Sequence, residues 1–349
     1  MDMKRDYYED VQMFPSWVES FWFVVLLVLL ALFPLFGGNY YCYLLNLMAI
    51  NSIVAIGLNI VVGYTGQVSL GHAGFFAIGA YASAMLYGVY HLPFLLVLPL
   101  AGFLAAVFGF LLGLPALRLE GPYLTIATMG FGMAVIQVIG HWGYLGGRMG
   151  IDIPRLKILA WELKGDVQIY YFIIPVTVIL TIGARNLMRT RVGRALVALR
   201  DSDIAAQTIG VNLTYYKTLA FAISAFYTGV AGALMAPVLG FISPEQFNLI
   251  MSIVFLAMVV VGGLASILGS IAGAMLLTVL QIQLSAVQDL WLAGPLFVSI
   301  TERWFNIAGI NNIKNIIIGL IMVLIVIFEP LGLNGLWLRT KRYWKTWPF

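Results

Sequence analysis

The chain has 349 residues, of which 62% are hydrophobic and 10% charged, with a formal net charge of +4. A mean hydropathy of +0.96 exceeds what a soluble core can bury; most of the surface must meet hydrocarbon, which excludes a soluble globular fold and points to a polytopic membrane protein. The small charge sits in loops, which speaks for membrane orientation and against nucleic-acid binding. The lone cysteine, Cys42, excludes an intrachain disulfide.

Residues 1–16, MDMKRDYYEDVQMFPS, mix acid, base and aromatics. They lack the short apolar region and small-residue cleavage site of a secretory signal, and a cytoplasmic N-terminal segment is expected. A membrane-spanning helix needs about 20 mostly apolar residues. Windows of that kind fall near 17–36, 40–62, 68–88, 93–114, 122–142, 168–187, 217–239, 247–264, 266–286 and 313–332. They predict an all-α fold of about ten transmembrane helices within a transmembrane domain at 17–338. Basic residues orient it. The arginine-rich loop 185–216 and the tail 339–349, with Arg339, Lys341, Arg342 and Lys345, are expected in the cytoplasm, four spans apart. Counting back six spans places the N-terminus there too, with Arg118 on a cytoplasmic loop and the polar segment 143–166 outside.

Two glycine-rich segments resemble each other: VGYTGQVSLGHAGFFAIGAY at 62–81 and VGGLASILGSIAGAMLL at 261–277. Their glycines and polar residues, Gly63, Gly66, Gln67, Ser69, Gly71, His72 and Gly74 in the first and Gly262, Gly263, Ser266, Gly269 and Gly273 in the second, are candidates to line or shape a translocation pathway. Interrupted helices in corresponding halves are the pattern of a transporter built from two related halves. The same glycines also serve plain close packing of helices, and periodicity does not choose between the two. His72 is open in the same way. It is either a pathway or gate residue or a neutral imidazole bonded to a neighbouring helix. Ser69 and His72 share a helical face, but QVSLG misses the nucleophile-elbow pattern by its first glycine, and no nearby acid orients the histidine as a hydrolase requires.

Other chemistry is sparse. There is no GxxxxGK[ST] phosphate loop, so the chain is not expected to hydrolyse ATP by itself. There is no HExxH or paired-cysteine motif, and His72, His91 and His141 are scattered, so neither metal nor cofactor is expected. Glu120, Glu245, Asp289 and Glu329 fall near span ends, leaving no acid at mid-span for proton coupling. Asn46, Asn51, Asn59, Gln137, Gln281 and Gln283 lie inside apolar windows and suit either a polar solute or interhelical hydrogen bonds.

One charged island interrupts the apolar pattern: RNLMRTRVGRALVALRDSDIAAQTIG at 185–210, with five arginines followed by Asp201 and Asp203. Asp201 or Ser202 is placed to cap a short helix, Asp203 falls in its first turn and Gly210 stops it. That helix, about 12 Å long, would offer Ala205 and Ala206 with Ile204 and Ile209 as an apolar, low-bulk surface to a soluble partner. An ordinary positive-inside loop is the alternative.

The run from Arg189 to Pro237 resembles the permease subunits of ATP-binding-cassette importers for branched-chain amino acids, of the LivM type. GYTGQVSLGHAGFFAIGAY from Gly63, LRLEGPYLTIATMGFG from Leu117, VVVGGLASILGSIAGA from Val259 and FEPLGL from Phe328 continue the resemblance over about Tyr41 to Trp337. It implies a multi-pass subunit of a prokaryotic plasma (inner) membrane. The expected partners are a second, homologous permease subunit, two cytoplasmic ATPase subunits and a periplasmic or lipid-anchored solute-binding protein. It also implies that Asp201, Ser202, Asp203, Ile204, Ala205, Ala206, Gln207 and Gly210 form the coupling helix that meets the ATPase. Ile204 stands where the EAAxxxG pattern has glutamate, with Asp203 one position earlier. Leucine, isoleucine and valine are the expected solutes, with urea or short amides as the alternative cargo and an ATP-independent carrier as the alternative class. Arg148 and Asp152 add charges to the external segment that the family pattern does not explain.

Overall fold

A computed structural model describes residues 17–116, 119, 121–158, 161–163, 165–286, 310–329 and 331–346. The N-terminal segment 1–16, Arg118, Glu120 and Asp289 lie outside these. Thirteen α-helices occur among the described residues: α1 (Trp17–Phe36), α2 (Asn39–Thr65), α3 (His72–Ser83), α4 (Phe94–Ala116), α5 (Pro122–His141), α6 (Asp166–Arg189), α7 (Arg191–Asp201), α8 (Asp203–Thr208), α9 (Leu213–Leu239), α10 (Leu249–Gly262), α11 (Ile267–Ala286), α12 (Ile310–Phe328) and α13 (Gly332–Thr346). Each of the ten apolar windows contains a helix, although the helix does not always fill it. Among the described residues, α2, α4, α5, α6, α9 and the stretch 244–262 that ends in α10 are long and apolar enough to cross a membrane. Shorter apolar stretches at 20–36, 267–283 and 316–325 belong to α1, α11 and α12.

The third element departs most from its window. It begins at His72 rather than near 68, because the chain leaves the helix at Gly66, and its last turns widen into a π-helix at Ala84–Val89.

Helix α9 is the axis of the bundle, packed by α4, α3 and α2. The contacts are close because glycines face backbone. A Cβ on Gly79 of α3 would lie 2.0 Å from the carbonyl oxygen of Gly229, and one on Gly232 of α9 would lie 2.1 Å from that of Phe76. Along α4, Gly102, Gly109 and Gly113 meet Val230, Ala225 and Thr218 of α9 in turn. Lipid gives helices no hydrophobic reason to associate, so such close backbone contact carries much of the packing energy. The asparagines add interhelical bonds: Asn46 Nδ2 donates to the Asp166 carbonyl at 3.1 Å and Asn51 Nδ2 to Thr278 Oγ1 at 2.8 Å.

The bundle has two distinct ends. At one, the polar segment after α5 contains short strands: β1 (Ile151–Asp152), β2 (Lys157–Ile158) and β3 (Trp161–Glu162). β1 pairs antiparallel with β4 (Phe241–Ile242), which follows α9. β2 and β3 form a small hairpin with a Lys157–Glu162 ion pair at 2.6 Å. Tyr87 ties this end to α3, its hydroxyl donating to the Arg155 carbonyl at 2.6 Å and accepting from the Lys157 N–H at 2.7 Å. The other end gathers the C-terminus of α2, the start of α5, the charged island, the α10–α11 turn and the start of α13. The basic tail is not a separate segment there: α13 runs unbroken from Gly332 through Arg339 and Lys341.

Candidate functional site

The island end brings both glycine-rich segments together as two elbows. In the first, α2 terminates because Gly66 takes a left-handed conformation (φ 71°), and both its N–H and that of Gln67 bond back to the Val61 carbonyl. Residues 67–71 then run outside any helix, a state tolerated at membrane depth only if other groups satisfy the backbone. They do so here. Leu70 N–H donates to Thr128 Oγ1 at 3.1 Å, Thr125 Oγ1 donates to the Val68 carbonyl at 3.3 Å, and Ala73 N–H donates to Ser252 Oγ at 3.0 Å. Gly71 admits this arrangement, since a Cβ there would lie 2.5 Å from the Thr128 carbonyl oxygen. The second elbow joins α10 to α11 through Gly263 (φ 116°) and Ala265 (φ 58°), and Ser266 Oγ accepts from the Gly269 N–H at 3.0 Å to start α11.

Asn59 of α2 clamps one elbow to the other. Its Nδ2 donates to the Ser266 carbonyl at 3.0 Å and Ser270 Oγ at 2.7 Å, while its Oδ1 accepts from the Ala265 N–H at 3.0 Å. Gly63, one turn on, lets the second elbow close, because its Cβ would lie 2.3 Å from the Ala265 nitrogen. The remaining candidate glycines also face backbone: Gly74 meets Gly132, Gly262 meets Gly269, and Gly273 meets Met258. Helix approach therefore accounts for their size. Gln67 is buried, and its Oε1 has no hydrogen-bond partner among the described residues.

His72 is fully buried, with Nδ1 3.1 Å from Ser69 Oγ and Nε2 2.7 Å from Ser224 Oγ of α9. Phe75 stacks edge-on against its ring, with centroids 5.5 Å apart. Sequence spacing puts Ser69 beside His72 but gives no hint of Ser224, 152 residues away. The chain of serine, histidine and serine is an interhelical link, sealed from solvent at all three members. A hydrolytic triad needs a carboxylate on the histidine, and no carboxylate bonds it among the described residues.

The island folds as two helices rather than one. Thr190 ends α6, the amphipathic α7 buries Gly193, Ala195, Leu196 and Leu199, and Asp201 closes it. Ser202 is the cap of α8, its Oγ accepting from the Ala205 N–H at 3.2 Å. Gly210 (φ 86°) stops the helix, and the Val211 N–H returns to the Ala206 carbonyl. Ala206 faces inward, whereas Ile204 and Ile209 are 78% and 74% exposed, with Ala205 and Gln207 beside them in solvent. Two charged residues fasten the island to the bundle. Asp203 pairs with Lys217 of α9, which is only 8% exposed. Arg200 packs its side chain on Gly66 and donates from Nη1 to the Gly63 carbonyl at 3.5 Å, placing a cation at the C-terminus of α2. Sequence reading counted Arg200 among orientation signals and missed Lys217. The one available clue was a lysine inside an apolar window, where charge is costly without a partner.

A polytopic helical bundle with interrupted, glycine-lined helices and a water-facing helix anchored to its axis defines a membrane permease. The chain matches the family described as "Branched-chain amino acid transport system / permease component" over residues 40–326. It is 36% identical over 340 residues to the high-affinity branched-chain amino acid transport system permease protein LivM of Escherichia coli K12, covering 90% of this chain and 75% of that protein. Similarity extends to the corresponding permease LivH of Salmonella typhimurium, at 24% over 67% of this chain and 82% of that one. The ribose import permease RbsC of Haemophilus influenzae is 23% identical over 74% of this chain and 83% of its own length. No solved structure matches. The chain therefore belongs to the branched-chain amino acid transport permease family, as a multi-pass membrane protein homologous to bacterial inner-membrane permeases.

Proposed function

We propose that the chain is the permease subunit of an ATP-driven importer that moves leucine, isoleucine and valine delivered by a solute-binding protein. It pairs with a second, homologous permease subunit, of which LivH is the similar type, and with two ATPase subunits on the island side. About ten spans carry both termini to that side, which is the cytoplasm, and leave the strand-bearing end outside. The choice of solute rests on the similarity to LivM; the related ribose permease indicates that the framework serves other cargo.

The observation that carries this reading is the mounting of α8. Its outer side exposes two large aliphatic side chains, Ile204 and Ile209, an unfavourable state in water unless a partner covers them, yet its buried face is fixed to α9 through Asp203 and Lys217. Arg200 fixes the preceding helix to the first elbow. A push on Ile204 and Ile209 would thus reach the bundle axis and the elbow as a rigid-body movement. Asp203 does not serve as a glutamate facing the ATPase; its carboxylate is turned to Lys217. In this scheme both elbows gate the inner end of a path between the two permease subunits, with Gly63 to Gly74 and Gly262 to Gly273 shaping the hinge.

The test uses the assembled complex in proteoliposomes. Ala205→Arg puts a bulky cation on the exposed face without disturbing the buried Ala206. Loss of binding-protein-stimulated ATPase activity and of leucine uptake, with complex assembly otherwise intact, is the expected result; unchanged coupling overturns the assignment. Competition of labelled leucine uptake by isoleucine and valine, but not by urea or acetamide, checks the cargo.

A further inference from the structure

We propose that α13 is an interfacial helix that binds anionic phospholipid headgroups in the leaflet on the island side and so tethers the second elbow to that leaflet. The helix starts on the elbow itself. A Cβ on Gly332 would lie 2.6 Å from the Val261 carbonyl oxygen and 2.7 Å from the Gly263 nitrogen, and Leu331 O sits 2.5 Å from where a Cβ of Gly263 would be. Backbone meets backbone there, so displacement of α13 is felt directly at Gly263.

Beyond its first turn the helix leaves the bundle. Leu333 packs on the core, but Leu336, Trp337 and Tyr343, on the same side in helical register, are exposed, Trp337 at 63%. Fifteen residues including Arg339, Lys341, Arg342 and Lys345 are too short and too charged to span a bilayer. A wholly aqueous helix would have no reason to present an indole, a phenol and a leucine together. The bilayer surface accommodates both properties, since tryptophan and tyrosine concentrate at headgroup depth and basic residues flanking an apolar face reach outward along their own aliphatic stems. Arg339 and Lys341 fall on either side of that face. The sequence of α13 contains no acid. The nearby carboxylate of Glu329 is already engaged by Arg339 at 2.9 Å. Lys341 has no acidic partner among the described residues, and an anionic headgroup supplies its charge complement.

The full chain in phosphatidylcholine vesicles containing a minor fraction of either brominated phosphatidylglycerol or brominated phosphatidylcholine tests this by tryptophan quenching. The difference between the native protein and Trp337→Phe isolates Trp337 from the other tryptophans, and its exposure makes that substitution mild. Quenching of the Trp337 component at a several-fold lower content of the anionic than of the zwitterionic quencher is expected. In Lys341→Gln/Arg342→Gln/Lys345→Gln, which spares the Arg339–Glu329 pair, the preference should fall about fivefold for each residue that meets a headgroup, and high salt should weaken it in the native protein. Quenching by neither lipid, as when water or a protein partner covers the helix, or equally by both, overturns the proposal. Neither transport nor ATP hydrolysis is read, so failure here leaves the importer reading standing.

Discussion

Asn59 shows how much one buried side chain decides. It satisfies the Ala265 N–H, which has no other acceptor among the described residues, and contributes both of its own donors. Asn59→Ala is expected to destabilise the protein by about 2 kcal/mol. That exceeds the ~0.6 kcal/mol average for one interhelical hydrogen bond in a bilayer, because three bonds go at once and the half-buried Ala265 N–H loses its acceptor. Thermal unfolding in detergent micelles would register it. Glycines sort by what faces them rather than by their place in a motif. Gly79→Ala forces a methyl group into the Gly229 carbonyl and should cost about 3 kcal/mol, the upper range for overpacking. At Gly130, where nothing approaches within 4 Å, alanine should be neutral or stabilising by up to about 1 kcal/mol. Equal melting shifts for the two would show that backbone approach is not what selects glycine here.

At the scale of elements, α8 is six residues long and has no stability of its own. Its position is set by the Ser202 cap, the buried Ala206 and the Asp203–Lys217 pair. Asp203→Ala leaves a nearly buried ammonium without its partner. The expected loss is about 1–2 kcal/mol, below the range for fully buried pairs because Asp203 retains some solvent. The double variant Asp203→Asn/Lys217→Met should recover most of that stability while still failing to restore ATPase coupling, if the pair transmits force as well as holding α8. Unfolding midpoints and stimulated ATPase rates, measured on the same preparations, separate the two roles. The glutamate position of the family pattern, held by Ile204, instead presents an aliphatic side chain outward, so in the proposed docking scheme the contact made at this position is apolar.

For the whole molecule, the two ends make an orientation test. Cys42 is buried and serves as a silent background. Tyr144, 83% exposed on the strand-bearing end, and Ile209 on the island end are both accessible. Tyr144→Cys should react with a membrane-impermeant maleimide in intact cells, and Ile209→Cys only after permeabilisation. The reverse pattern would invert the orientation argued from the arginines. The fold agrees with the relative sidedness of the span count, since β1 and β4 pair across elements that the count places on one side, while both elbows, the island and the start of α13 meet on the other; which side is the cytoplasm is what the labelling decides.

Sequence alone determined the class and the element pattern. Hydrocarbon demands long apolar helices, which leave a nearly continuous signal, and helix caps such as Ser202 and Gly210 are local chemistry readable from neighbouring residues. It also indicated where helices break, since glycine and serine clusters mark where backbone leaves the helical pattern. Only the tertiary structure decided what those breaks contact. Asn59 with Ala265, Asp203 with Lys217, His72 with Ser224 and Gly332 with Gly263 join residues separated along the chain, and nothing in helical periodicity encodes which faces of two helices meet. Most of the candidate glycines were ambiguous for the same reason: a missing side chain says that something comes close, and the partner's backbone alone says what.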